Sequence, residues 1–335
     1  MGFNKRVLEI DAAAETNRIV AALRQTVLRR MRRYGGVVGI SGGVDSAVVL
    51  ALALRAFGPQ KVIALMLPEN DSDPESEVLA RRYAQACGVT AVLENITPAL
   101  EGFGCYARRD EAIRRVFPEY DAAKGYKAKI VLPKNLLEED TVNVFSLTIV
   151  DPNGVEQTKP LFPRDFLQIV AASNFKQRTR MAMLYYHAES NHYAVIGTAN
   201  KNEHGQGFFV KHGDAGVDVQ PIAHLYKTQV YQLAEYLKVP EEIRNRVPTT
   251  DTYSAPTSQQ EFFFRLPFEV MDLLWFAQEH GYPPAEVAAV MGLTEVQVQR
   301  AYNEFTRKQR TTAYLRMAPV SFGAVQEGTA RAEAS

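Results

Sequence analysis

The residues best suited to chemistry stand in one short run, Ser41-Gly42-Gly43-Val44-Asp45-Ser46. Two glycines let the backbone turn tightly and approach a ligand, so that successive N–H groups point into one concavity. Val37 to Ile40, including Gly39, reads as a buried strand before the run, and Ala47 to Leu54 reads as a buried helix after it. The concavity therefore opens at a helix N-terminus, where the dipole favours anions. That is a cradle for phosphate. No Gly-Lys-Ser/Thr follows the glycines, which separates it from a Walker loop. The cation must come from elsewhere in the chain, while Asp45 offers a carboxylate to a magnesium ion. A glycine turn that merely joins strand to helix is the plain alternative.

Further residues of the same kind follow in order. A long helix carries Asn174-Phe175-Lys176-Gln177-Arg178-Thr179-Arg180-Met181. A buried strand leads into Gly197-Thr198-Ala199-Asn200-Lys201-Asn202-Glu203, and then come Lys211-His212-Gly213-Asp214-Ala215-Gly216-Val217-Asp218, Lys227 and Pro248-Thr249. The Ser-Gly-Gly-x-Asp-Ser string after a strand resembles the loop of the ATP pyrophosphatase superfamily, whose members break ATP between its α and β phosphates. The ordered set resembles, more narrowly, the NAD synthases, over roughly residues 20–95 and 165–255 with a weaker tail to about 317. Several motifs in order are far more specific than one.

The resemblance implies a two-step amide synthesis. A carboxylate attacks the α-phosphorus of ATP, and ammonia then displaces AMP from the acyl-adenylate. It assigns Gly39, Ser41, Gly42, Gly43, Asp45, Ser46, Thr198, Lys227 and Thr249 to ATP, and Asp45 and Glu203 to Mg2+. Asp45 and Lys227 carry the catalysis, Lys227 being the compact cation that the glycine loop lacks. Arg178, Lys211, Asp214, Asp218, Arg307 and Lys308 fall to the acid being amidated, deamido-NAD or another carboxylate. Taken singly, Arg178 could be a helix-surface residue, Lys211 an ordinary loop residue, and Asp214 and Asp218 turn residues capping their own backbone.

Positioning these groups requires a doubly wound, mostly parallel α/β sheet. Residues 11–33 read as an amphipathic helix, with Ile19, Leu23, Val27 and Met31 on one face. Lys61 to Leu67 is a second strand, followed by a turn-rich loop, a helix from about Glu75 to Cys87 and a short strand near Thr90–Leu93. In such a sheet, ligands sit beyond the carboxyl ends of the strands. Residues 104–164 break the rhythm and read as an insertion with a β-hairpin: Val142–Val150, a turn at Asp151-Pro152-Asn153-Gly154, and Val155–Thr158. The expected division is an α/β domain at 1–255 with that insertion, a helical region at 256–322 and a disordered tail at 323–335.

Composition excludes several classes. The 38 basic and 38 acidic residues balance, so no global field recruits nucleic acid or an anionic membrane. Two cysteines, Cys87 and Cys105, build neither a disulfide framework nor a zinc site, which fits a cytoplasmic chain. No apolar run approaches a membrane span, and no secretory signal precedes the first helix. Pro284 to Ala301 has the form of a helix-turn-helix, so a DNA-binding regulator is the reading from another class. Neutral charge and a second helix without Lys or Arg before Arg300 argue against it. The expected partners are small molecules, a second subunit as homodimer, and at most a separate ammonia-delivering protein. Beside the insertion, the chain departs from the family pattern at Ala215 and at Ala255–Arg265, where three phenylalanines replace an acidic loop.

Overall fold

The structure is a computed structural model. It describes residues 2–132, 136–137, 145–249, 252–256, 258–259 and 263–322. The start of the expected strand at 142–144, Asp251, Phe262 and the tail at 323–335 lie outside the described residues.

Helix α1 (Ala12–Leu23), capped by the Asp11 side chain, runs into wider π turns over Arg24–Arg30. It packs on α2 (Val44–Phe57), which is buried along most of its length because apolar residues surround it. Strand β1 (Gly36–Gly39) leads into α2, and β2 (Val62–Met66) returns beside it. Then come α3 (Pro74–Ala86) and the short β3 (Val92–Leu93). These β-α-β steps account for the near-continuous apolar runs of β1 and β2, which are covered on both faces.

Helix α4 (Thr97–Gly102) precedes the insertion, which α5 (Cys105–Val116) opens. Its expected hairpin is present as β5 (Ser146–Val150) and β6 (Glu156–Pro160), paired antiparallel. A strand that the sequence reading did not place, β4 (Lys127–Val131), pairs with β5 from the other side. Its lysines alternate with buried Ala128 and Ile130, so the strand pattern is real but dressed in charge. The small sheet shares a core with α5 and with α6 (Pro163–Asn191), through Ile113, Phe117, Ile149 and Ile169.

Strand β7 (Ala194–Ile196) then enters the main sheet on the far side of β1, giving the parallel order β3-β2-β1-β7. The direction of winding reverses between β1 and β7, and in open α/β sheets that reversal is where ligands bind. Helices α7 (Lys201–Gln206), α8 (Lys227–Tyr236) and α9 (Glu241–Arg244) follow. The C-terminal helices are α10 (Phe268–Glu279), α11 (Pro284–Met291), α12 (Glu295–Thr311) and α13 (Ala313–Arg316). Gly292 in the left-handed region and a Thr294 cap make the turn of the helical pair. Val298, Ala301 and Phe305 of α12 are buried in one core with Trp275 of α10, Tyr226 and even Phe3. Among the described residues no helix is long and apolar enough to cross a membrane.

Candidate active site

The glycine loop leaves β1 and caps α2 without a side-chain partner, so the first-turn N–H groups of α2 face outward. Gly42 has φ +74°, and a Cβ there would meet the Ser76 carbonyl oxygen at 2.6 Å, so the position requires glycine. Ser46 fixes the curve: its Oγ accepts from Ser41 N at 3.2 Å and donates to Gly43 O at 2.9 Å. Ser46 is thus a buried loop-shaping residue as much as a ligand contact.

Beyond the end of β7, Asn200 caps α7 and Glu203 closes the capping box, its Oε2 accepting from Asn200 N at 3.1 Å. The Asn200 side chain also donates to Asp45 Oδ1 at 3.0 Å, tying the start of α2 to α7. Lys227, at the first position of α8, is fully buried and donates its Nζ to Asp45 Oδ2. An ammonium has three donors. Among the described residues, Asp45 is the one hydrogen-bond acceptor of this one, with the rings of Phe268 and Tyr231 at 5.5 and 5.9 Å. The cation missing from the glycine loop therefore arrives from a helix 182 residues further along the chain.

Burial would lower the ammonium's pKa, but Asp45 and Glu203 hold Lys227 above its ordinary value. Burial and then the charge of Asp45 push Glu203 up, against the pull of Lys227. Two carboxylates thus share one cation. Mg2+ is commonly held by one or two carboxylates plus phosphate oxygens. Asp45 and Glu203 fit that donor set, and a cation would relieve the carboxylate that burial now disfavours. No group of three or more His, Cys, Asp or Glu capable of holding a metal occurs among the described residues.

These groups line a cleft of about 730 Å³. Gly39, Ser41, Gly43, Asp45, Ser46, Thr198, Glu203, Asp214, Lys227 and Thr249 all face it. Arg178, Lys211, Asp218, Arg307 and Lys308 are not among its lining residues. Arg178 reaches Lys211 O at 3.4 Å, and Lys211 Nζ donates to the carbonyls of Tyr314 and Met317 at 3.0 and 2.9 Å. Asp218 accepts from Val195 N at 2.8 Å, and Asp214 accepts from Val210 N at 2.7 Å. Arg307 pairs with Glu304, while the buried Lys308 donates to Phe263 O. Of the phenylalanine run, Phe263 faces the cleft and Phe264 is buried in the C-terminal core.

The cleft holds two further cations that were given no role from sequence. Arg180 donates to Leu67 O at 3.2 Å, and Arg246 donates to Asp73 Oδ2 and Ser76 Oγ at 2.7 and 2.9 Å beside the glycine loop. Arg180 belongs to the Asn174–Met181 helix segment, whereas nothing in the sequence around Arg246 marks it. A second cavity of about 890 Å³ lies between the insertion, the loop at 70–74, Thr249 and Tyr253–Pro256, sharing Asp73 and Thr249 with the cleft.

Comparison with known proteins bears on this arrangement. The sequence model of the NAD synthase family matches residues 15–116 and 126–314. Of residues 104–164, 117–125 fall outside that match. An NH(3)-dependent NAD(+) synthetase of Mesorhizobium japonicum is 52% identical over 314 residues, covering 94% of this chain and 98% of that protein. One of Rhizobium meliloti is 49% identical, covering 97% of this chain and 96% of that protein. Among solved structures, an NH3-dependent NAD synthetase of Campylobacter jejuni has a TM-score of 0.60 at 20% identity, covering 94% of this chain and all of that one. The same values describe an NMN synthetase of Francisella tularensis. At that identity the two structures speak for the fold alone.

Proposed function

The chain belongs to the NAD synthase family, and we propose on that footing how its cleft carries out the reaction. The protein is an ATP-dependent carbon–nitrogen ligase that converts deamido-NAD, ATP and ammonia to NAD, AMP and pyrophosphate. The observation that carries the assignment is the buried Lys227 held on Asp45 under the glycine loop, with donors left over for an anion.

ATP lies with its phosphates on the loop Ser41–Ser46, against the outward N–H groups of α2, and its nucleoside between Thr198 and Thr249. The substrate carboxylate oxygen bonds to the α-phosphorus, and the bond to the β-phosphate bridge breaks. Lys227 and the loop N–H groups receive the charge that develops on departing pyrophosphate, a gain realised in the transition state. Arg246 and Arg180 add positive charge along the same wall. Mg2+, held by Asp45 and Glu203, would screen the phosphate oxygens and polarise the α-phosphorus. Ammonia then bonds to the acyl carbon, AMP leaves with the former carboxylate oxygen, and one proton passes to solvent.

Arg178, Lys211, Asp214 and Asp218 are assigned to the dinucleotide acid, with Arg307 and Lys308 behind Phe263 at the edge of its site. A second subunit, as a homodimer, belongs to the same reading. A cytoplasmic location and ammonia taken free or from a separate protein complete the reading. The deciding assay combines the protein with ATP, Mg2+, ammonium and deamido-NAD. NAD and AMP should appear in equal amounts. If neither forms while ATP still binds, the scaffold serves another acid.

A further inference from the structure

We infer that Asp272 of α10 is a positioning residue for the reaction, acting through Asn202 and the backbone of α8 to hold Lys227 on Asp45. This rests on the reading of Lys227 as the lysine that meets the phosphates.

The first N–H groups of a helix have no partner within it. Those of α8 belong to Lys227 and Thr228, in an interior where an unpaired N–H is costly. Lys227 N donates to Asn202 Oδ1 at 3.1 Å, and Thr228 N donates to Asp272 Oδ2 at 2.8 Å. The other oxygen of Asp272 accepts from Asn202 Nδ2. Three elements distant in sequence, α7, α8 and α10, thus meet in a closed circuit. Asp272, Asn202 and Lys227 are all fully buried. The orientation of Asn202 follows from chemistry, because one neighbour is a donor and the other a carboxylate.

Close packing reinforces the circuit. A Cβ on Gly205 of α7 would meet the Trp275 ring at 2.3 Å, so α7 and α10 touch as backbone against indole. The Tyr226 ring, one residue before Lys227, stands edge-on to Trp275 at 5.6 Å. A helix of the C-terminal region therefore sets the position of the first residue of α8. An anion at a helix N-terminus is itself favourable, yet nothing in that requires Asn202. The bridge through Asn202 links Asp272 to the one residue of α8 whose side chain reaches the glycine loop.

Both groups facing Asp272 are donors. Asp272→Asn keeps the volume but turns one acceptor into a donor, so one of the two bonds must break. Asn202→Asp in the same chain restores all three bonds: the amide at 272 accepts from Thr228 N and donates to the carboxylate at 202, which still accepts from Lys227 N. A role confined to stability would appear in the melting temperature. A positioning role appears in kcat.

We expect Asp272→Asn to lower kcat about 10- to 100-fold, the effect of a small misplacement of a catalytic group. KM for ammonium should stay within about twofold, and the double variant Asp272→Asn/Asn202→Asp should recover to within about fivefold of the original kcat, as expected of coupled neighbours. A folded Asp272→Asn enzyme with undiminished kcat overturns the inference, and so does a double variant no better than the single. Should the single variant fail to fold, the double variant decides alone: folded and active supports the circuit, unfolded or inactive overturns it. Lys227→Met is measured in parallel. If that change leaves kcat and ATP affinity intact, the reading of Lys227 fails; if it abolishes turnover while Asp272→Asn does nothing, only the inference about Asp272 fails.

Discussion

Lys227 and Lys176 are both fully buried lysines facing two carboxylates, and they end up in opposite states. Lys176 donates to Glu69 Oε1 at 3.0 Å, to Asp71 Oδ2 at 2.5 Å and to Thr252 O at 2.9 Å, so all three of its donors are placed. Arg109 of the insertion adds a second cation at Asp71, and Tyr106 donates to Glu69 Oε2 at 2.8 Å. Burial would raise Asp71, but Lys176 and Arg109 hold it below the ordinary carboxylate value. At the other lysine, burial and then the charge of Asp45 push Glu203 up, and no second cation pairs with it among the described residues. A cluster completed by its own chain is a clamp, here joining the loop after β2 to α6 and the insertion. A cluster that leaves ammonium donors unspent, beside a carboxylate held only by the neutral donors Asn200 N and Gln259 Nε2, keeps electrostatic capacity for an anion.

The largest effects should separate the two lysines by what they change. Asp45→Asn and Glu203→Gln should each lower NAD formation at least ~10²-fold, the scale of one preorganised electrostatic contact; Glu203→Gln should melt near the unaltered protein, while Asp45→Asn leaves the buried Lys227 ammonium without its carboxylate and also loses stability. Lys176→Met strips buried Glu69 of its cation and leaves Asp71 with Arg109 alone, and should cost roughly 3–5 kcal/mol of folding stability, read from urea unfolding. If Glu203→Gln destabilises as strongly as Lys176→Met while turning over normally, the distinction between site and clamp collapses.

That distinction was only half legible in the sequence. The glycine loop, with Asp45 and Ser46, is a contiguous string whose chemistry can be read without a fold. Thr198, Glu203 and Lys227 were reached through motif order, and the sheet reversal between β1 and β7 explains why they converge. The clamp left no such trace. Glu69, Asp71, Arg109 and Lys176 are ordinary charged residues, and their partners lie up to 107 positions away. Arg109 sits among other arginines on α5 and looks like part of a solvated face, yet it is buried. Asp272 is hidden for the same reason, as one of three acids, with Glu269 and Glu279, in a largely apolar helix. The strand β4 was missed because Lys127 and Lys129 mask its alternation.

Acidity offers a finer contrast. The native state keeps a proton on Glu203 at pH values where the unfolded chain has released it. By linkage, this residue makes the ligand-free protein less stable as pH rises from the ordinary carboxylate range towards about 8. Asp71 works in the other direction: its contribution is present above its unfolded value and is lost as pH falls through its lowered one. Melting temperatures of the ligand-free protein and of Glu203→Gln, compared between about pH 5 and 8, should therefore diverge. The unaltered protein should show the steeper loss, and Mg2+ with ATP should offset it. Parallel curves would mean that Glu203 is ionised in the native protein across this range.

The smallest expected effect tests the clamp region as chemically inert. Cys105 lies at its edge, within the fields of Lys176, Arg109, Glu69 and Asp71, and it donates its thiol to Ala172 O at 3.2 Å. Cations alone would favour a thiolate. Burial outweighs them, with Glu69 and Asp71 opposing the same cations, and the thiol is pushed up to about 11. Burial also raises Cys87, and neither residue lines the cleft. A nucleophilic cysteine would be needed to release ammonia from glutamine within this chain, and neither thiol is activated for it. Cys87→Ala combined with Cys105→Ala should leave ammonia-dependent kcat within about twofold, at a cost in stability of about 1 kcal/mol for the small buried group at 105. Glutamine-driven NAD formation by the lone protein, present in the unaltered chain and lost in this variant, would place a nucleophile in the region that the charge balance marks as closed.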